Sequence, residues 1–96
     1  MLRITVVAEA GKPIVLKLEG HVDGEGAALL EREAAPFVSD AAVALDLTAV
    51  RFVNRAGIVV LGRLGRAGAE IRCRAGVVAS VLESEGIAIV FVSPWD

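Results

Sequence analysis

The sequence predicts an α/β domain with a mixed, mostly parallel sheet and the element order β-β-α-β-α-β-α-β. Runs rich in β-branched residues alternate with segments of helical character along the chain. The first two runs are separated by a short stretch that contains Gly and Pro, which predicts a hairpin. Each later run is separated from the next by a helical segment. This arrangement produces parallel strands through right-handed crossovers.

The N-terminal half contains the hairpin and the first helix. Residues 2–7 (LRITVV) and 14–19 (IVLKLE) are rich in β-branched residues, and alternation in the second run predicts one wetter face. Asp23 can cap a helix over residues 24–35. This helix is expected to stop or kink at Ala35, because Pro36 disfavours helical geometry in the residue before it.

The C-terminal half contains three strands and two helices. The predictions are a short apolar strand at 43–47, a helix at 56–66, an alternating strand at 70–74 and a helix at 77–85 that ends before Gly86. The last run, 87–92 (IAIVFV), is continuously apolar. Such a run is typical of a strand that is buried on both faces of the sheet.

A chain of 96 residues is expected to form one domain over residues 1–96. Hydrophobic residues make up 55% of the chain and aromatic residues only 4%, so the core should be aliphatic. This content is high for a soluble domain and leaves apolar residues for a partner-facing surface.

Charge, cysteine content and hydropathy restrict the partners and the compartment. The formal net charge of -2 lacks the positive excess that nucleic-acid binding requires. No apolar run approaches the roughly 20 residues that span a bilayer, and the N-terminus lacks the apolar region of a signal peptide. The single cysteine cannot form an internal disulfide, which fits a reducing compartment. We expect a cytoplasmic protein without a nucleic-acid partner or direct membrane insertion.

Residues suited to catalysis or metal binding are scarce. His21 and Asp23 share a face if the chain is extended there, but one histidine and one carboxylate fall short of a metal site. Cys73 has no CxxC partner and is expected in the core. Neither a nucleophile elbow nor a GxGxxG loop is present. We therefore expect no enzyme activity, no metal and no cofactor.

Three segments occur together in a recognisable order. Residues 18–23 read LEGHVD, residues 43–61 read VALDLTAVRFVNRAGIVVL, and residues 77–87 read VVASVLESEGI. The middle segment resembles the STAS-domain signature, in which an apolar strand ending in Asp-Leu precedes Asp-Ser-Ser-Gly at the start of a helix. The outer two are similar to the Leu-x-Gly-x-x-Asp motif and to the closing helix of that family. The chain as a whole resembles an anti-sigma factor antagonist.

The resemblance implies a STAS-like fold and a protein that works by binding partners. In the antagonist branch, the unmodified domain binds a kinase-type anti-sigma factor and so releases a sigma factor. Phosphorylation of the first serine of Asp-Ser-Ser-Gly breaks that complex. STAS subunits also occur with ABC lipid-transport ATPases, so the resemblance leaves that partner open.

The chain departs from the family pattern at the phosphorylation motif. Asn54 replaces the aspartate, Arg55 replaces the serine that accepts phosphate, and Ala56 replaces the second serine, so only Gly57 is unchanged. Neither Arg55 nor Ala56 carries a hydroxyl group. We expect no phosphorylation switch in this loop. Arg55 either reaches an acidic group of a partner or an anionic ligand, or is solvated without a role.

The helix after the motif has two different sides. Spacing of about 100° per residue places Leu61 and Leu64 inward. The outward side is basic at its ends and small or apolar in its middle, which suits a docking surface but also fits an ordinary solvated helix. The expected partner-binding residues are Asp23, Asn54, Arg55, Ala56, Gly57, Val59, Gly62, Arg63 and Arg66.

The sequence thus predicts a non-catalytic regulatory domain that docks a protein partner through the loop and helix at residues 54–66. The resemblance leaves the partner open between an anti-sigma factor kinase, an ABC transporter ATPase and a larger signalling assembly. A self-associating structural domain, with the outward side of the helix pairing with its own copy, is the alternative. The roles of His21 and Trp95 stay open.

Overall fold

The computed structural model describes residues 1–38 and 43–93 and confirms the predicted order of elements. Ser39 and Trp95 lie outside the described residues. The strands are β1 (Leu2–Val7), β2 (Ile14–Val22), β3 (Val43–Val53), β4 (Glu70–Cys73) and β5 (Val90–Phe91). The helices are α1 (Gly24–Val38), α2 (Arg55–Arg66) and α3 (Val77–Ser84).

The five strands form one mixed sheet in the order β1-β2-β3-β4-β5. β1 is antiparallel to β2, and the other neighbours are parallel, as the hairpin and the helical crossovers predict. The spatial order of the strands is therefore the order of the chain. The carboxyl ends of β2 and β3 consequently lie side by side, and each leads directly into a helix.

The two faces of the sheet differ because side chains alternate along each strand. Leu16, Leu45 and Ile71 are aligned across β2, β3 and β4 and are almost completely buried. All three helices contribute to the same hydrophobic cluster as this row. The next row, on the opposite face, includes Lys17 and Asp46, and neither of these side chains is fully buried. The molecule is a two-layer sandwich with its helices on one face.

The predicted inward side of α2 is confirmed. Leu61 is completely buried and Leu64 is 6% exposed, and both belong to the core cluster. Cys73 is also buried, as expected. Burial raises the pKa of the Cys73 thiol, because a thiolate would lose its hydration there.

The prediction that α1 stops at Ala35 is wrong, since the helix continues through Pro36 to Val38. Pro36 lies in the last turn of the helix and is exposed. It has no backbone N–H, and the carbonyl group that is left without a donor can bind water at this position. Phe37 and Val38 pack against the core cluster beyond it. The burial of these two side chains favours one more helical turn over the local preference of proline.

β2 and β3 are both longer than predicted. Their pairing shifts register twice, and β3 extends to Val53. Near the first shift, Asp46 Oδ1 accepts hydrogen bonds from the backbone N–H of Thr48 at 2.9 Å and from its hydroxyl group at 2.7 Å. The irregular pairing breaks the strict alternation on which the sequence prediction depended.

The prediction that the last strand is buried on both faces is also wrong. β5 contains only Val90 and Phe91, whose side chains are 47% and 50% exposed. Among residues 1–38 and 43–93, β5 pairs with β4 alone and forms the edge of the sheet. An apolar run suits a central strand, but here the helices cover only one face and the strand has a neighbour on only one side.

Candidate protein-binding site

The loop between β3 and α2 is held in place by the side chain of Asn54 and by a hydrogen bond to the end of β2. Asn54 is extended and accepts a hydrogen bond from the N–H of Gly57 at 3.1 Å, which caps α2 as predicted. The N–H of Asn54 donates to the carbonyl oxygen of Val22 at 3.2 Å. The loop is therefore ordered at the carboxyl edge of two adjacent strands.

Gly57 is required by the close approach of α2 to β2. A Cβ atom at Gly57 would lie 2.2 Å from the carbonyl oxygen of Val22 and 2.9 Å from a methyl carbon of Val53. Both distances are too short for any side chain. The glycine lets the first turn of α2 rest directly on the end of β2.

Asp23 follows Val22, whose carbonyl oxygen accepts the hydrogen bond from Asn54 in the loop. Asp23 therefore lies close to the loop. Its carboxylate accepts a hydrogen bond from the N–H of Gly26 at 3.0 Å and caps α1, as predicted. This hydrogen bond lowers the pKa of Asp23, because it stabilises the charged form. The carboxylate is thus engaged in holding the start of α1.

Arg55 is the first residue of α2 and its side chain is 73% exposed. Its Nη1 donates to Oε1 of Glu85 at 2.9 Å. Glu85 follows the last residue of α3, so this ion pair connects the start of α2 to the end of α3. The sequence interpretation considered a partner, an anionic ligand or solvent for Arg55 and missed the carboxylate within the chain.

The remaining arginines of α2 have different surroundings. Arg63 forms an ion pair with Glu31 of α1. Among residues 1–38 and 43–93, no carboxylate lies within ion-pair distance of Arg66. Its guanidinium group lies beside Gly62, with Nη1 3.3 Å from the position that a Cβ atom would occupy there.

The outward side of α2 differs from the prediction at Gly62. Ala56, Val59, Arg63 and Arg66 are exposed, whereas Gly62 is buried. Ile87 lies against it, with Cδ1 3.7 Å from the position of a Cβ atom at Gly62. The chain segment after α3 covers this side of the helix, which a helical projection of α2 alone does not show.

Phe52 is an exposed aromatic residue beside the loop that the sequence interpretation did not include. Its side chain is 50% exposed, and the ring of His21 meets it edge-on with centroids 5.9 Å apart. The backbone N–H of His21 donates to the carbonyl oxygen of Met1 at 2.9 Å. An exposed phenylalanine two residues before the helix cap was the signal available in the sequence, since aromatic residues are enriched in protein interfaces.

No family model and no curated protein matches the chain. Solved structures do match. The anti-sigma factor antagonist SpoIIAA in its unphosphorylated form superposes with a TM-score of 0.76 at 10% identity, over 97% of this chain and 90% of that chain. An anti-sigma factor antagonist from Mycobacterium paratuberculosis gives a TM-score of 0.80 at 21% identity, over 95% and 85% of the two chains. The chain has the SpoIIAA-like STAS fold.

A third solved structure supports the same fold. It is an uncharacterised protein from Shewanella loihica with a SpoIIAA-like fold, which matches with a TM-score of 0.58 at 12% identity over 94% of this chain and 82% of that chain. The SpoIIAA-like fold agrees with the resemblance that three sequence segments carry.

The SpoIIAA-like fold brings those three segments together around the loop. The segment at 18–23 meets the segment at 43–61 through the hydrogen bond between Asn54 and Val22. The segment at 77–87 meets the loop through the ion pair of Arg55 with Glu85. Residues that are far apart in the chain thus form one surface at the start of α2.

Within the part of the SpoIIAA-like domain that the structure describes, no three His, Cys, Asp or Glu side chains are close enough to share a metal ion. Among the helices of the described ranges, none is both long and apolar enough to cross a membrane. The start of α2 instead offers an exposed apolar side chain, Val59, beside the charged side chain of Arg55, and Phe52 is a second exposed apolar residue just before the loop. A surface of this composition is suited to contact with another protein.

Proposed function

We propose that the protein is a non-catalytic regulatory domain that docks a protein partner through the loop and helix at residues 54–66. The observation that carries this proposal is an ordered loop in which residues 54–57 carry no side-chain hydroxyl group. Asn54 caps α2, and Gly57 allows its close contact with β2. The position that the STAS motif gives to the phosphate acceptor is occupied by Arg55.

The proposal separates docking from switching. Docking needs an ordered, exposed surface, and the capped loop and the exposed Val59 supply one. Switching by serine phosphorylation would add about -1.5 to -2 charges at this loop. Arg55 cannot accept a phosphate and carries a fixed positive charge, so the docking state is constitutive with respect to that modification.

We propose a kinase-type anti-sigma factor as the partner, because two of the solved structures that match are anti-sigma factor antagonists. A complex of this kind forms in the cytoplasm, which suits the free, buried thiol of Cys73. Asp23 supports the docking surface indirectly, since it caps the helix that begins beside the loop.

The test is binding of the purified full chain to the purified kinase-type anti-sigma factors of the same genome, measured by calorimetry. Val59→Asp should weaken binding about tenfold or more, because it places a charge in the apolar part of the interface. Val77→Asp is the matched control, since Val77 is 80% exposed at the start of α3. It should leave affinity unchanged.

Two outcomes would contradict the proposal. If Val59→Asp binds as tightly as the wild type, the docking surface lies elsewhere. If none of the anti-sigma factors binds the wild type, the partner class is wrong.

A further inference from the structure

A groove runs along α2 on the side that faces the segment after α3. Near the start of the helix it has a volume of about 170 Å³ and is bordered by Arg55 and Glu85. Near the end of the helix it widens to about 300 Å³ and reaches Val90 of β5. Gly62, Arg66 and Ile87 line both parts, so the two are adjacent, and together we call them the α2 groove.

The floor of the α2 groove is open because one of its residues is a glycine. Gly62 leaves the backbone of α2 open beneath the guanidinium group of Arg66. Ile58 and Ile87 border the same depression. A glycine inside a helix makes the helix less stable than an alanine would. At this position the glycine leaves room beside the helix backbone that a side chain would fill.

The charges around the α2 groove are unequally distributed. The chain has a net charge of -2, yet α2 carries three arginines and no acidic residue. Glu85 pairs with Arg55, and Glu31 pairs with Arg63. Glu70, which lines the wider part of the groove, pairs with Arg72. Arg66 is left without a carboxylate partner among the residues that the structure describes, and its guanidinium group lies over the apolar floor.

We infer that the α2 groove binds an acidic amphipathic segment of the protein partner. Aliphatic side chains of that segment lie on Ile58 and Ile87, and one of its carboxylates pairs with Arg66. This deepens the proposed function, on which it rests, by assigning chemistry to the partner. The charge of Arg66 selects an acidic segment over a basic one, because a like charge beside the guanidinium group would be repelled in the partly desolvated groove.

The inference is tested with synthetic helical peptides and amide NMR spectra of the full chain. One peptide carries leucines at helical spacing flanked by glutamates. A second has the same leucines flanked by lysines, and a third keeps the glutamates but replaces the leucines with alanines. The acidic leucine peptide should bind with a dissociation constant below about 1 mM and shift the amides of Gly62 and Ile87. The other two should bind at least about tenfold more weakly.

Two variants identify the groove as the site. Arg66→Glu should abolish the preference for the acidic peptide, whereas Arg74→Glu, at an exposed arginine just after β4, should not. Gly62→Leu should fill the groove and abolish peptide shifts. Gly62→Ala should raise the melting temperature, which shows that a helix with a side chain at this position still folds.

The outcomes separate this inference from the proposed function. If Val59→Asp abolishes anti-sigma factor binding while Arg66→Glu changes neither that binding nor peptide preference, the groove assignment is overturned and the docking proposal stands. If the acidic peptide binds in the groove but no anti-sigma factor binds, the groove assignment stands and the partner class falls. Equal binding of the lysine peptide, or a dimer with concentration-dependent groove shifts, overturns the inference.

Discussion

Arg55 Nη1 lies 2.9 Å from Glu85 Oε1, so the first residue of α2 is joined to the residue that follows α3. Both side chains contact solvent, and exposed ion pairs contribute about 0.2–1 kcal/mol to stability. The pair therefore matters more for position than for stability. It places the guanidinium group of Arg55 and the carboxylate of Glu85 where the STAS motif has a hydroxyl group.

Phosphorylation of the loop should fail. Residues 54–57 contain no hydroxyl group, so incubation with a cognate kinase and ATP should add no phosphate to the peptide that contains them. Mass spectrometry of the digested protein measures this. The double variant Asn54→Asp, Arg55→Ser supplies the motif aspartate and the acceptor hydroxyl, and it should gain one phosphate. A phosphate mapped to the wild-type peptide would contradict the constitutive docking state.

Stability should fall at acidic pH through Asp23. The hydrogen bond from Gly26 lowers the pKa of Asp23 below its ordinary value of 3.8, so the folded state favours the carboxylate. The stability that this adds is fully present above the unfolded pKa and is lost as the pH falls through the folded pKa. Urea unfolding between pH 6 and pH 2.5 should show a smaller acid loss for Asp23→Asn, because asparagine also caps helices but does not titrate. Identical pH profiles would exclude this role.

The cap of α2 should contribute measurably to stability. Asn54→Ala removes the acceptor for the N–H of Gly57 and should lower the free energy of unfolding by about 0.5–2 kcal/mol. Asn54→Asp keeps an acceptor and should retain most of the stability. Chemical denaturation of the three proteins provides the comparison, and equal stability of Asn54→Ala and the wild type would show that the cap is dispensable.

The rotation of α2 predicts opposite costs on its two sides. Leu61 is completely buried, so Leu61→Ala should destabilise the domain by about 2–5 kcal/mol. Val59 is 44% exposed, and Val59→Ala should change stability by less than about 0.5 kcal/mol. The free energies of unfolding check this directly. Similar costs for the two variants would mean that α2 is rotated about its axis.

Two glycines of α2 should respond to alanine in opposite directions. Gly57→Ala forces a Cβ atom against the carbonyl oxygen of Val22 and should cost about 1–3 kcal/mol. Gly62→Ala meets only the mobile end of Arg66 and the side chain of Ile87, so it should gain up to about 1 kcal/mol in helix propensity. Thermal and chemical denaturation measure both changes. A stabilised Gly57→Ala would show that α2 does not rest on β2 as described.

The order of elements and the buried side of α2 could be predicted because they depend on local periodicity. Leu61 and Leu64 repeat at helical spacing, and that spacing alone places them inward. The caps by Asp23 and Asn54 were also predictable, since a cap acts within three residues of its own chain.

Features that depend on tertiary placement could not be predicted. Glu85 is 30 residues from Arg55 in the chain, and only the packing of α3 brings the two together. Burial of Gly62 depends on Ile87, which lies beyond the next helix. The exposure of Val90 follows from the edge position of β5, whereas the apolar run containing it is equally compatible with a central strand.

The uncovered face of the sheet has a consequence for how the domain behaves at high concentration. Lys17, Asp46 and Arg72 are neighbours in one row across β2, β3 and β4, so positive and negative side chains alternate along it. Stacking two such faces would strip water from every one of these ionic groups, which is unfavourable without precise pairing. This row of charged side chains therefore disfavours self-association through the uncovered face of the sheet.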